Sequence, residues 1–489
     1  MPFSMRIFQR RGNKSRPIKI PDSCFYRFEA KLRQAVARCF GGSLGARGDL
    51  FSPRARIKIV RIFLSSLRMH RFLRRNKPMN KTKAIERAMK VNYYLYRYGW
   101  PIYRVFARHA LSKRCSICSL TEKVVAIRDD GICETCHREE VSTATGIAES
   151  SGDRAMEREL DALLEKTQGK GGGAYDVIFL FSGGKDSTYI LHRLTTRYKR
   201  LRVLALTVDN GFRSPVGKQN AEKICAHLDV DHMEIRPYRI FKKLYRYGFE
   251  NFSRHGFVCT DFWEGELFLD TGRNLAARMD VPLVMVGYTP EQIAFIPKRF
   301  DEYHLYGLEG FEFRENQRFI RERFMDIDLK DIFTPEEMRY WWDASKWPAE
   351  RIPSMVFPFQ AWGYNKTDIV REIVSLLHGV VDEKETNPVL TNDIYVGLGI
   401  YMDYRIFGYS PMYEEEFSRY VRTGRDDSKE NRNLWEFIEY AALKYKGTLD
   451  SVDMRVCLDK LDLTKSALDG IVEESMARLD NDNSSSISD

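Results

Sequence analysis

The sequence predicts an α/β protein: a parallel sheet with covering helices, preceded by a small zinc-knuckle module and a basic, mostly helical N-terminal region. Three observations predict it. From residue 175 onward, short apolar runs alternate with stretches of helical periodicity. Cys115, Cys118, Cys133 and Cys136 fall in one short window. Residues 1–114 carry 29 Lys and Arg against 4 Asp and Glu, a net of +25; the whole chain is only +10, which leaves −15 on the remainder. With 489 residues and 43% hydrophobic content, the chain can build two or three domains with real cores.

The basic region comes first. "GGSLGARGDLFSPRAR" at 41–56 forms a loop between helical stretches, and "KIVRIFLSSLRMHRFLRR" and "KAIERAMKVNYYLYRYGWPIYRVFARHAL" space apolar and aromatic residues by three and four with arginines between. Basic amphipathic helices of this kind suit RNA, an anionic membrane surface or lipid-linked glycan, or an acidic partner, the acidic remainder of the same chain included. Nothing in them reads bases specifically. The first residues lack the apolar centre of a secretory signal, and no apolar run reaches the about 18 residues that cross a bilayer. The expectation is a cytoplasmic protein, peripheral to the inner membrane where the basic region meets lipid.

The cysteine window, "CSICSLTEKVVAIRDDGICETC", comes next. Cys115 and Cys118 are two residues apart, as are Cys133 and Cys136, and each pair sits on a turn that aims both thiolates at one ion; "KVVAIRDDG" suits a short strand and turn between them. Four thiolates close a tetrahedral structural zinc site, an iron–sulfur cluster being the alternative.

"AYDVIFLF" is a buried-strand candidate, then come Ser182, Gly183, Gly184, Lys185, Asp186 and Ser187, then the helical "TYILHRLTTRY". Strand, glycine-rich turn and helix make an anion site: small residues let backbone N–H groups reach phosphate oxygens, and the helix N-terminus adds partial positive charge. Lys185 supplies a point charge and Asp186 a ligand for Mg²⁺. The spacing matches neither the Walker A nor the dinucleotide pattern.

"SGGKDS" resembles the signature of the N-type (PP-loop) ATP pyrophosphatases. The likeness continues through "RVLALTVDNGF", a second strand ending at Asp209 and Asn210 where the superfamily places adenosine contacts, "AEKICAHLDVDHMEIRP", and "GRNLAARMDVPLVMVGYTPEQ", a helix and fourth strand closing on Gly287. Within that superfamily, the order of knuckles, Gly-rich linker and loop is most similar to the N-acetyl sugar amidotransferases of bacterial surface-polysaccharide (O-antigen) biosynthesis. "LGIYMDYRIFGYSPMYEEEFSRYVRTGR" resembles their C-terminal stretch, and the likeness spans roughly residues 112–440. Where that family often carries a cysteine pair, "GFVCTDFWEGE" offers Cys259 alone.

The resemblance implies a parallel-sheet ATP pyrophosphatase domain and an AMP-forming amidotransferase. ATP and Mg²⁺ would be held by Ser182, Gly183, Gly184, Lys185, Asp186, Ser187, Asp209 and Gly287, with Lys185, Asp186 and Cys259 at the chemistry. It also implies a sugar substrate, nucleotide- or lipid-linked, and a glutaminase or other ammonia-supplying subunit. A tRNA-thiolating enzyme and a non-catalytic nucleotide-binding protein are the alternatives. The divisions expected are a basic extension (1–110), zinc knuckles (111–145), linker (146–174), ATP pyrophosphatase domain (175–300), helical substrate or lid region (301–475) and disordered tail (476–489). Glu291, Gln292, Arg422, Arg425, His255 and the cluster Trp341, Trp342, Trp347 are further candidates by residue type, each with a plain packing role beside the functional one.

Overall fold

The computed structural model describes residues 81–143, 154–252, 258–289, 292, 328–444 and 452–485. Residues 1–80, His255, Glu291, the Cys259 side chain and residues 486–489 lie outside what it describes. From Thr82 onward the described residues belong to one compact unit.

Helix α1 (Lys81–Tyr94) runs through a π turn at Leu95–Gly99 into α2 (Trp100–Ala107). Pro101, in the first turn of α2, has no N–H to give the ladder, and the register loosens at that step. One face buries Ala88, Val91, Leu95 and Trp100, while Arg97 and Arg104 lie on the flank. After the cysteine module come α3 (Glu134–Thr143) and α4 (Arg154–Thr167).

The segment expected as a flexible linker is ordered from Arg154 on. Leu160 and Leu164 of α4 are fully buried in the same core as Val177 and Phe179. Gly171–Gly173 then form a close backbone approach: the Gly172 N–H donates to the Asp280 carbonyl at 3.0 Å, and a Cβ on Gly172 would lie 1.8 Å from Asp280 Oδ2. Glycine is there because nothing larger fits.

The sheet domain reads β1 (Val177–Leu180), α5 (Lys185–Arg197), β2 (Val203–Val208), α6 (Pro215–Leu228), β3 (Asp231–Ile235), α7 (Tyr238–Glu250), α8 (Val258–Met279), β4 (Leu283–Val286) and β5 (Ser354–Val356). The strands are all parallel, in the order β3-β2-β1-β4-β5. Registers include Phe179 opposite Ala205 and Met285. β1, β2 and β4 are apolar nearly throughout and buried on both faces, as helix-covered parallel strands must be. β3, "DHMEI", has only exposed and half-buried positions because it is an edge.

β5 was not expected. Residues 301–475 read as helical, yet Ser354–Val356 adds a strand beside β4, with Leu283 opposite Ser354. A three-residue strand flanked by Pro353 and Pro358 leaves no periodicity to detect.

The C-terminal half continues with α9 (Lys366–Leu376), α10 (Ile394–Ile406), α11 (Pro411–Arg422), α12 (Ser428–Glu439), α13 (Val452–Leu461) and α14 (Lys465–Ser485). α12 is the base on which the N-terminal pieces rest. Arg104 forks onto Glu436 with two bonds of 2.6 Å, Trp100 Nε1 donates to the same carboxylate at 3.2 Å, and Arg97 meets Glu430 at 3.1 Å. The described end of the basic region is therefore paired with acidic residues of its own chain.

Candidate nucleotide site and cysteine centre

β1 ends at Leu180, and the chain turns through Ser182, Gly183 and Gly184 into α5. Gly183 has φ +72°, and a Cβ there would lie 2.5 Å from the Gly217 carbonyl oxygen and 2.8 Å from the Ala221 nitrogen, both backbone atoms of α6. Ser182 Oγ accepts the Gly184 N–H at 3.2 Å and lies 3.0 Å from Ser187 Oγ. The first helical bond runs from the Thr188 N–H to the Gly184 carbonyl at 3.0 Å, so the amides of Lys185, Asp186 and Ser187 remain at the open helix end. Lys185 Nζ pairs with Asp186 Oδ2 at 2.6 Å, and Asp186 Oδ1 is buried without a protein partner among the described residues.

This turn forms one wall of a cavity of about 370 Å³. The cavity opens beyond the C-terminal ends of β1, β2 and β4, where the strand order reverses between β1 and β4; open parallel sheets hold ligands there. Gly287, after β4, lines it too, and a Cβ at that residue would lie 3.0 Å from Ile190 Cδ1 of α5. Its lining carries two cations, Lys185 and, from the loop after β2, Arg213, and an acidic wall of Glu264, Glu266, Asp393 and Glu416.

A buried polar network supports the acidic wall. Asn210 Nδ2, at the end of β2, lies 2.7 Å from Glu264 Oε1, 2.8 Å from the Tyr245 hydroxyl and 2.5 Å from Asp393 Oδ2. Tyr245 and Tyr395 both donate to Glu264, and their rings stack at 4.2 Å. Burial, then the Glu264 charge, pushes the Tyr245 hydroxyl well above its ordinary value, so it stays a donor. Burial likewise raises Asp393, with the Arg213 charge and the Asn210 bond pulling the other way.

Asp209 behaves differently. Burial opposes its ionisation, but the hydrogen bond from Lys218, the Gly211 N–H at 2.8 Å and the charge of Arg236 at 2.6 Å outweigh it and hold Asp209 below the usual carboxylate value. Its carboxylate is occupied by these partners, and Asp209 is not among the residues lining the cavity.

Of the residues expected at the site, Ser182, Gly184, Lys185, Asp186, Ser187, Gly287 and Gln292 line the cavity. Gly183 stands behind them against α6. Trp342 and Trp347 stack on each other at 6.2 Å with Arg273 over Trp342, Trp341 is buried, and none of the three lines the cavity. Arg425 lies over the Tyr420 ring, also away from it, and Arg422 does not line it either. Sequence reasoning missed Arg213, Glu264, Asp393 and Glu416. Arg213 had a signal, following the Asp-Asn-Gly turn at a strand C-terminus; Glu264 and Glu416 come from α8 and α11 and Asp393 from just before α10, with no local pattern.

The four cysteines converge. Their Sγ atoms lie within 4.8 Å of one another, with 3.7 Å between Cys115 and Cys136 and between Cys118 and Cys133. A disulfide needs about 2.05 Å. Thiolates about 2.3 Å from one tetrahedral ion stand about 3.8 Å apart, so the four sulfurs fit a single ion. A cubane would place its own iron atoms between them and spread them wider. The Cys133 N–H points at Cys115 Sγ from 3.3 Å, a contact that favours thiolate. The expected intervening strand is reduced to isolated bridges, Arg114 with Thr121 and Ile127 with Cys133. Arg432 Nη2 donates to the Cys115 and Ser116 carbonyls, each at 2.8 Å, and Ser428 Oγ to the Ile117 carbonyl at 2.6 Å, which fastens the module to α12.

A family model described as queuosine biosynthesis protein QueC matches residues 176–249, the span of the glycine-rich turn and its strands. The match supports a PP-loop ATP pyrophosphatase-type domain over that span. An uncharacterized protein of Methanocaldococcus jannaschii, MJ1599, is 32% identical over 123 residues, covering 24% of this chain and 41% of that protein. The chain thus spans about two fifths of that relative's length. Among solved structures, the U34-tRNA thiolase NcsA of Methanococcus maripaludis, with its 4Fe–4S cluster, is 12% identical at a TM-score of 0.25, the match covering 73% of this chain and 90% of that one.

Proposed function

We propose that this chain is an AMP-forming enzyme that adenylates a carbonyl or amide oxygen and exchanges that oxygen for nitrogen. The observation that carries the reading is the Ser182–Ser187 turn, a helix end with free amides and one lysine set at the switch point of the sheet. The acceptor oxygen attacks the α-phosphorus as the bond to the bridging oxygen breaks, and pyrophosphate leaves with its charge on the amides and Lys185. The nucleophile then attacks the activated carbon, and the C–O bond to AMP breaks. Asp186 Oδ1 would hold Mg²⁺, which neutralises polyphosphate charge when bound.

Nitrogen is favoured by the acidic wall. Glu264, Asp393 and Glu416 on the cavity lining suit an ammonium ion, from which a carboxylate takes a proton before attack. The acceptor proposed is an N-acetyl sugar of surface-polysaccharide synthesis, with ammonia from a glutaminase subunit or solution. Zinc would fill the cysteine centre in a structural role.

A second reading, thiolation of tRNA, has its own support. The matching family model carries a nucleoside rather than a sugar in its name, and residues 1–114 bear a net +25.

Pyrophosphate release from α-labelled ATP tests both. Nucleotide-linked N-acetyl sugars and bulk tRNA are compared with and without ammonium; sugar- and ammonium-dependent release supports the first reading, tRNA-dependent release the second. Release that no acceptor stimulates under any condition, or no release at all, sinks both.

A further inference from the structure

We propose that Arg213 is a second cation of the nucleotide site, gripping the β- and γ-phosphates beside Lys185; this rests on the ATP reading above. Arg213 comes after Asp209-Asn210-Gly211-Phe212 and precedes Ser214, the N-cap of α6, whose side chain accepts the Gly217 N–H at 2.9 Å. The turn on one side and the cap on the other fix the backbone, and the Arg213 side chain reaches back over the glycine-rich turn, where Nη2 donates to the Ser182 carbonyl. The other arm of the fork, Nη1, is buried at the cavity with no protein acceptor among the described residues.

A buried guanidinium N–H without an acceptor is costly, the more so for a charged donor, and native proteins rarely leave one. The charged and titratable groups around it are Asp393 and His232, on both of which the Arg213 charge acts, and Lys185 and Asp186, which line the same cavity. Asp393 accepts from Asn210 and makes no hydrogen bond to Nη1. What remains for Nη1 is an anion arriving in the cavity beside the open amides of Lys185, Asp186 and Ser187. A polyphosphate oxygen has that charge, and Nη1 would give it a charge-assisted hydrogen bond while Nη2 keeps the planar group fixed. By holding the Ser182 carbonyl, Arg213 also ties the turn after β1 to the loop after β2.

Calorimetric titration of the full chain decides it, with pyrophosphate, α,β-methylene-ATP, AMP and adenosine as probes against wild type, R213Q and R213K. The expected result is that R213Q weakens pyrophosphate and the ATP analogue by about tenfold or more and leaves adenosine unchanged, the loss shrinking from the analogue to AMP. A residue that only held the Ser182 carbonyl would instead affect AMP and the analogue alike. R213K, which keeps the charge but not the fork, should fall between wild type and R213Q. Should Gln prevent folding, R213K decides alone: a loss confined to the polyphosphates supports the inference, and unchanged affinity overturns it. Wild-type protein that binds none of the four removes the ATP reading and this inference together. Tight wild-type binding that R213Q leaves intact removes this inference only.

Discussion

Gly183 and the two aspartates near Asn210 show how much a single position can decide. Alanine at 183 would need a left-handed backbone and would push into two backbone atoms of α6, so G183A should cost about 1–3 kcal/mol or more in denaturant unfolding and spread the phosphate turn. Asp209 and Asp393 should respond to pH with opposite signs. Asp209 is depressed, so its contribution to stability is fully present above the unfolded value of about 3.9 and disappears as pH falls through the lower folded value. D209N should therefore lose about 1–3 kcal/mol at neutral pH, a gap that closes in acid. Asp393 is raised, so its ionised form weakens the fold as pH climbs. D393N, which still accepts from Asn210, should gain stability at neutral pH and match wild type below about pH 4. Paired unfolding curves at several pH values check both; parallel behaviour of the two variants would contradict the assignment.

At the scale of elements, legibility tracks locality. β1, β2 and β4 are visible in the sequence because buried parallel strands are continuous apolar runs, and the cysteine pairs because metal spacing is local. The acidic wall is invisible there because Asn210, Tyr245, Glu264, Asp393 and Tyr395 come from widely separated parts of the chain and meet only after folding. The linker misleads because three glycines in a row look alike whether they flex or squeeze past a neighbour. The cysteine module gives the sharpest prediction at this scale. Arg114, which adjoins Cys115, is almost fully buried and bonds Glu414 of α11 at 2.6 Å and Glu439 of α12 at 2.8 Å. R114M would leave two buried carboxylates without their cation and should cost about 3–5 kcal/mol, read as a lowered denaturation midpoint. C115S should lose the bound metal, counted by mass spectrometry under native conditions, and expose the Ile117 carbonyl region to hydrogen exchange; full metal content in C115S would exclude the four-thiolate centre.

Over the whole molecule, charge is divided by destination. Arg97, Arg104 and Arg114 are spent on Glu430, Glu436, Glu414 and Glu439, and most of the remaining basic charge of the N-terminal region lies in the sequence of residues 1–80, with 20 Lys and Arg against 3 Asp and Glu. Deleting residues 1–80 should leave pyrophosphate release intact on a small acceptor. On a tRNA acceptor the same deletion should weaken binding and flatten its salt dependence, measured by filter binding across salt concentrations. Equal salt slopes for both forms would show that the net +17 of that segment serves something other than RNA.

The Arg114 anchor carries one more consequence, for the newborn chain. Its carboxylate partners lie as many as 325 positions downstream, and a ribosome adding about 5–20 residues per second reaches them only after tens of seconds. Throughout that interval the knuckle has its thiols but not its seat. Metal capture during translation would thus protect four reactive sulfurs well before α11 and α12 exist to enclose them.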